Sequence, residues 1–103
     1  MRTRFFILSI LLITNLGAKT IQVAPGTSIQ QAIDRATAGD TVLVHAGTYY
    51  QYGIKINKSL TFLGQGKPLL DASGQGEILT ISADKVVVKG FRFQRTGRTS
   101  ITD

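Results

Sequence analysis

The chain has 103 residues, which allows one small domain at most. Its 12 basic and 6 acidic residues give a formal net charge of +6, but the basic residues are scattered among apolar ones, which indicates a solvated face rather than a nucleic-acid surface. The sequence contains no cysteine, which excludes a small domain held together by disulfides.

Residues 1–18 have the pattern of a secretory signal peptide. Arg2 and Arg4 form a basic start, residues 5–13 are almost wholly apolar, and Ala18 is a small residue suited to cleavage. The apolar run is shorter than the ~20 residues that span a bilayer, which favours a cleaved leader over a membrane anchor. Cleavage after Ala18 would lower the net charge from +6 to +4, because Arg2 and Arg4 leave. We therefore expect an exported protein.

Residues 19–40 are predicted to form an N-terminal strand and a capping helix. Alternation in Ile21-Gln22-Val23 indicates the strand, and Ser28 followed by Gln31 gives the capping-box pattern of a helix start. Gly39 offers a helix stop, so we expect a helix over about residues 29–38. The apolar residues that share one helical face are Ile29, Ala32, Ile33 and Ala36. Such a stripe suits a helix that covers the open end of a solenoid.

Residues 54–90 contain one pattern written twice. Each copy has a short strand, a polar corner, a second short strand and a glycine. The matched positions are Ile54 and Leu79, Ile56 and Ile81, Leu60 and Val86, Phe62 and Val88, and Gly64 and Gly90. A strand repeat of this length is typical of a stacked β-solenoid. We expect Gly64, Gly90 and Gly97 to lie at corners with positive φ.

Residues 41–103 are predicted to form the first two to three rungs of a right-handed parallel β-helix. Short strands at 42–44, 54–56 and 60–62 are assigned to the first coil, Leu69 opens the second and Phe91 the third. A β-sandwich is the alternative, but the corners lack the Asn-Gly or Asp-Gly pairs of tight hairpins. The third coil is unfinished and no capping pattern follows it. We therefore expect the chain to be the N-terminal part of a longer solenoid.

Few residues suggest chemistry. His45 is the only histidine and the only candidate metal ligand considered, and strand alternation directs its side chain outward. The acids fit turns better than a pair of carboxylates that face each other across a sugar. Asn57-Lys58-Ser59 matches a glycosylation sequon, which we interpret as a chance match beside a bacterial-looking leader. No catalytic or cofactor-binding residues are predicted. At least one ring among Tyr49, Tyr50 and Tyr52 should pack inward.

Several motifs resemble known proteins. Ala38-Gly-Asp-Thr-Val-Leu-Val, Ala46-Gly-Thr-Tyr49 and Ile56-Asn-Lys-Ser-Leu-Thr-Phe-Leu-Gly64 resemble the opening of pectin-lyase-like parallel β-helix proteins. The stretch 78–94, followed by Thr96-Gly-Arg-Thr-Ser-Ile-Thr-Asp103, is similar to the N-terminal region of the NosD family, periplasmic maturation proteins of nitrous oxide reductase.

This resemblance implies a non-catalytic periplasmic accessory protein. Its expected partners are an ABC transporter and nitrous oxide reductase, whose copper centre is being built, and it would meet the membrane only through them. Copper is implied by the resemblance alone, and no metal motif of the family matches a position in this sequence. The alternative is a carbohydrate-active or carbohydrate-binding β-helix related to polysaccharide lyases, which rests on analogy of fold.

Overall fold

The computed structural model describes residues 17–95. The predicted signal peptide up to residue 16, the expectation for Gly97, and the similarity and unfinished coil over residues 96–103 therefore lie outside the described residues. In chain order the described elements are β1 (Thr20–Val23), α1 (Ile29–Arg35), β2 (Thr41–Val44), β3 (Thr48–Tyr49), β4 (Ile54–Ile56), β5 (Thr61–Gly64), β6 (Leu69–Asp71), β7 (Leu79–Ile81), β8 (Val87–Lys89) and β9 (Arg92–Gln94).

The strands stack in three parallel sheets that run along one axis. The first sheet has the order β1-β2-β5-β8, the second β3-β6-β9 and the third β4-β7. Every pairing between these strands is parallel. This confirms the predicted parallel β-solenoid and excludes the sandwich, whose hairpins would pair antiparallel. Strands β2 to β9 form three layers, in agreement with the two to three rungs predicted for residues 41–103, and β1 and α1 form a fourth layer below them.

The repeat in residues 54–90 corresponds to two successive layers. Ile54 pairs with Leu79 and Phe62 with Val88, as the sequence pattern predicts. The second copy has one extra corner residue. Lys85 in that corner has a φ of 56°, a left-handed conformation that turns the chain within the longer corner.

The predicted division into coils was wrong. Val42 pairs with Phe62, twenty residues later, so the strand at residues 60–62 belongs to the layer above β2. Leu69, which the sequence predicted to lie one layer above Val42, pairs instead with Thr48 of β3. The reason is that β3 has only two residues, which is too short to show an alternation in the sequence.

Helix α1 is shorter than predicted. It begins after Ser28, whose side chain accepts a hydrogen bond from the Gln31 N–H at 3.1 Å, which confirms the capping residue. It ends at Arg35, because Ala36 is extended with φ −73° and ψ 152°. Gly39 is not the helix stop. Its N–H donates to the carbonyl of Ser59 in the layer above.

The C-terminus of α1 is capped by the side chain of Lys58 and not by Gly39, the residue that the sequence predicted. The Lys58 Nζ donates to the carbonyl oxygens of Ile33, Asp34 and Ala36 at 3.1, 3.3 and 2.8 Å. A cation near unpaired carbonyls stabilises the C-terminus of a helix. The sequence interpretation had placed Lys58 on a solvated face, and that was wrong for this residue.

Gly64 and Gly90 lie directly above one another at one corner, but for different reasons. Gly90 has a φ of 89°, as expected. Gly64 is not in the left-handed region, so that expectation was wrong. A Cβ on Gly64 would collide with the carbonyl oxygen of Gly90, and a Cβ on Gly90 would collide with that of Gly64. Close approach of two backbones therefore requires glycine here.

The core runs along the axis, and within residues 17–95 a helix covers only its lower end. Helix α1 buries Ile29, Ala32 and Ile33 against the lowest strands. In one inward column, Tyr49 is 1% and Leu70 0% exposed, but Phe93 in the last layer is 37% exposed. We call the inward-facing residues of that layer, Val88, Phe91 and Phe93, the upper face.

Candidate functional site

A groove lies between the start of α1 and the corner that joins β3 to β4. It encloses about 580 Å³. We call it the tyrosine groove, because the rings of Tyr50 and Tyr52 are 67% and 54% exposed there. Its other lining residues include Thr27, Ser28, Gln30 and Gln51. Large exposed aromatic rings need an explanation, because burying them is strongly favourable.

Tyr49 anchors the wall of the tyrosine groove. Its ring is buried, and its hydroxyl donates to the carbonyl of His45 at 2.7 Å and contacts that of Val23 at 3.3 Å. Burial raises the pKa of the Tyr49 hydroxyl above its ordinary value, so it remains a donor. This confirms that one of the three tyrosines packs inward, and it leaves Tyr50 and Tyr52 on the outside.

Gln51 fixes the floor of the groove to the helix start. Its side-chain carbonyl accepts from the Ile29 N–H at 2.9 Å, and its side-chain NH₂ donates to the Thr27 carbonyl at 2.7 Å. Ile29 is the first residue of α1, where a backbone N–H has no partner inside the helix. The loop that carries Tyr50 and Tyr52 is therefore held in place before any ligand binds.

Tyr52 separates the tyrosine groove from a second groove. The second groove encloses about 460 Å³ and is lined by Lys55, Gln75 and Thr80 among others. Thr80 donates to a carboxylate oxygen of Glu77 at 3.0 Å. The Tyr52 ring thus offers surface to both grooves. This arrangement suits a ligand that has an apolar face for the rings and polar edges for the amide and hydroxyl groups.

His45 lies at the end of β2 on the outer side, as predicted. Its Nε2 is 2.8 Å from the side-chain oxygen of Gln22 in the layer below. No group of three or more His, Cys, Asp or Glu side chains that could hold a metal lies within residues 17–95. Those residues contain this one histidine and neither cysteine nor methionine. They therefore do not by themselves supply the soft donor set that copper prefers.

Two buried aspartates were predicted to be turn acids, and the structure gives both a structural role. Asp40 accepts from the backbone N–H groups of Thr37 and Lys19 at 2.8 and 3.0 Å and from the Lys19 ammonium at 2.9 Å. Those hydrogen bonds, chiefly that of Thr37, hold the pKa of Asp40 well below its ordinary value.

Asp71, the second buried aspartate, is the last residue of β6. The guanidinium of Arg95 lies 2.6 Å from its carboxylate, and the Ser73 N–H donates to it at 2.8 Å. The pKa of Asp71 is lowered, mainly by Arg95. Because each carboxylate is saturated by donors, neither is available as a general acid or base.

The sequence interpretation missed the tyrosine groove. It treated Tyr50 and Tyr52 only as candidates for the core, and it had no reason to place them beside residues 27–30. The signal that could have found the groove is the density of tyrosine at positions 49–52. Three tyrosines around a corner cannot all point inward, because side chains alternate along an extended chain.

Comparison with known proteins gives a limited result. A cell surface glycoprotein of Methanothermus fervidus is 38% identical to this chain over 68 residues, which cover 63% of this chain and 11% of that protein. The matched part is thus a small fraction of the relative. No protein-family model and no solved structure matches the chain. Within the described residues, no helix has the length and apolar character needed to cross a membrane.

Proposed function

We propose that these coils form a non-catalytic scaffold module of an exported β-solenoid protein. The observation that carries this proposal is the contrast between the two ends of the stack. Helix α1 covers the apolar residues at the lower end, whereas Phe93 of the upper face is 37% exposed. No strand pairs with β8 or β9 from above among the described residues. An end of this kind is built to receive another layer of parallel strands.

The aromatic stacking supports the same proposal. Phe62, which is fully buried, stacks on Phe91 at a centroid distance of 4.4 Å, and Phe91 lies 6.1 Å from Phe93. The core column therefore continues into the upper face. The similarity to part of a much longer cell surface glycoprotein also favours a module outside the cytoplasm.

The test is the oligomeric state of residues 19–103. Exposed upper faces should associate, so light scattering should find dimers or larger species, and Phe93→Lys should shift them to monomer. Tyr52→Lys is the matched control, because Tyr52 is an exposed aromatic residue away from the upper face. A stable monomer of the unaltered chain would contradict the proposal.

A more specific proposal rests on the resemblance to the NosD family. The protein would act in the periplasm with an ABC transporter during maturation of the copper centre of nitrous oxide reductase. Because the described donor set does not suit copper, the described coils would hold partners in place. Deletion of the gene in a host that has this reductase should leave the reductase without its copper centre. Fully loaded reductase in the deletion strain would overturn this proposal.

Carbohydrate binding is the second candidate, and the tyrosine groove is the observation that favours it. Sugar rings have apolar C–H faces that pack on aromatic rings and hydroxyl edges that hydrogen-bond to amides. Titration of soluble oligosaccharides, followed by tyrosine fluorescence, should show saturable binding that Tyr50→Ala and Tyr52→Ala abolish. Lys89→Ala, on the outer side of β8, should bind normally. Failure of every oligosaccharide to bind the unaltered protein would remove this candidate.

A further inference from the structure

The corner between β4 and β5 carries an asparagine that the fold does not require. Asn57 is exposed between two buried residues, Ile56 and Leu60, that fix the direction of the corner. Its side-chain amide has no hydrogen-bond partner among the described residues. It does not adopt a positive φ, so the backbone gives no reason for asparagine there.

The side chains of Lys58 and Ser59 both form hydrogen bonds within the fold, and neither covers Asn57. Lys58 turns away to the carbonyls at the end of α1. The Ser59 hydroxyl donates to the carbonyl of Asp84 in the layer above at 2.6 Å. The amide of Asn57 is thus the one side-chain polar group of this tripeptide that has no hydrogen bond among the described residues.

Asn57-Lys58-Ser59 is an Asn-X-Ser sequence with no proline at X, the acceptor sequence for N-linked glycosylation. We propose that Asn57 is N-glycosylated, which reverses the interpretation of this tripeptide as a chance match. The inference rests on the export that the proposed function includes. The corner lies on the flank of the stack, so a glycan there leaves the upper face free for a further layer.

The chemistry is a group transfer from a lipid-linked oligosaccharide diphosphate supplied by the host. Nδ2 of Asn57 forms a bond to the anomeric carbon, and the bond from that carbon to the phosphate oxygen breaks. The lipid diphosphate leaves with the bonding electron pair, and a base of the transferase takes one proton from the amide. No oxidant or reductant is needed.

The hydrogen bonds of Ser59 determine when this transfer takes place. Its hydroxyl is part of the acceptor sequence, yet in the folded chain that hydroxyl is bound to Asp84. The Ser59 carbonyl also accepts from Gly39 at 2.8 Å, and the Ile56 carbonyl accepts from Ser82 at 2.9 Å. The corner is therefore held from both neighbouring layers. Transfer precedes the docking of these layers, during or just after export.

The test is production of the full chain with its leader in a host that N-glycosylates exported proteins. Mass spectrometry of the exported fraction should find a single glycan on the peptide that contains Asn57. Asn57→Gln and Ser59→Ala should lose it, whereas Ser59→Thr should keep it. Ser59→Ala also removes the contact to Asp84, so Asn57→Gln, which leaves that contact intact, separates loss of the acceptor from misfolding.

Two further readouts make the result decisive. Exported protein without a glycan, in cells whose other acceptors are modified, would overturn the inference but leave export standing. Protein retained in the cytoplasm would overturn export, and the glycosylation inference with it. In a transferase assay, the urea-unfolded chain should accept glycan and the folded chain should not. Equal transfer to both would overturn the proposed timing.

Discussion

The side-chain amide of Gln30 pairs with the backbone of Lys55 as a strand would. Its oxygen accepts from the Lys55 N–H at 2.7 Å, and its NH₂ donates to the Lys55 carbonyl at 3.1 Å. Lys55 is the middle residue of β4, the lowest strand of the third sheet. One helical side chain thus satisfies a sheet edge that would otherwise be open.

Replacing Gln30 should therefore loosen the lower end of the stack. We expect Gln30→Ala to lower the free energy of unfolding by about 1 kcal/mol, because the two exposed hydrogen bonds to Lys55 and a third to the Asp34 carboxylate are lost. Urea unfolding followed by circular dichroism measures this change. Gln31→Ala is the control, since Gln31 lies on the same helix with its side chain exposed and gains the same helix propensity. Equal effects of the two substitutions would contradict the strand-like role of Gln30.

The glycine stack gives a second prediction. Gly64→Ala should lower the free energy of unfolding by about 1–3 kcal/mol, because the added methyl meets the Gly90 backbone, which cannot move aside. Gly26→Ala measures the cost of a left-handed backbone without any collision, since Gly26 has a φ of 89° and open space around its Cβ position. This substitution should lower the free energy of unfolding by about 1 kcal/mol. Gly90→Ala combines both effects and should be the most damaging of the three in thermal melting.

Acid should destabilise the fold through Asp40 and Asp71. Both pKa values are lowered in the folded chain, so both groups contribute stability that is complete above the unfolded-state pKa of about 4. That contribution is lost as the pH falls toward the folded-state values. The melting temperature should therefore decline steeply below about pH 4.

The variant Asp40→Asn tests this dependence. Each oxygen of the Asp40 carboxylate accepts from a backbone N–H, so the NH₂ of the asparagine would face the N–H of either Thr37 or Lys19. The variant should therefore melt at lower temperature at neutral pH and show a weaker decline in acid. Asp84→Asn is the control, because Asp84 is exposed at a turn and its side chain has no contact among the described residues. An unchanged acid profile in Asp40→Asn would argue against the role of Asp40.

Lys58 allows a test of capping from a neighbouring layer. We expect Lys58→Met to destabilise the protein by about 1 kcal/mol, because the carbonyls at the end of α1 lose a charged donor while the apolar stem is kept. Lys55→Met changes the same side chain at an outward position of β4. Chemical denaturation should show no matching loss for Lys55→Met, and similar losses for both would count against the cap.

Periodicity explains what could be predicted from the sequence. The repeat between Ile54 and Gly90 has matched strands and matched glycines, so it predicts both the solenoid and its register. The end of α1 could not be predicted in this way, because Lys58, 23 residues after Arg35, supplies the cap. The division into coils failed at β3, where the two residues Thr48 and Tyr49 carry too little pattern.

The candidate site was harder to predict than the fold. Tyr50 and Tyr52 become a groove only because Gln51 ties their loop to the start of α1, 22 residues earlier in the chain. Asn57 was visible in the sequence, but its lack of a structural role became apparent only when the contacts of Lys58 and Ser59 were known. Neighbouring layers, rather than neighbouring residues, decide these outcomes.

The closure of one end by α1 gives the stack a direction. Below β4, Gln30 occupies the backbone N–H and C=O of Lys55 that a further strand would need. Within the described residues, no strand lies above β8 or β9, and their outer edges have the same parallel geometry that pairs the layers below them. A coil added to the third sheet beneath β4 would first have to displace Gln30, whereas a coil added at the other end would take its register from the layer beneath it.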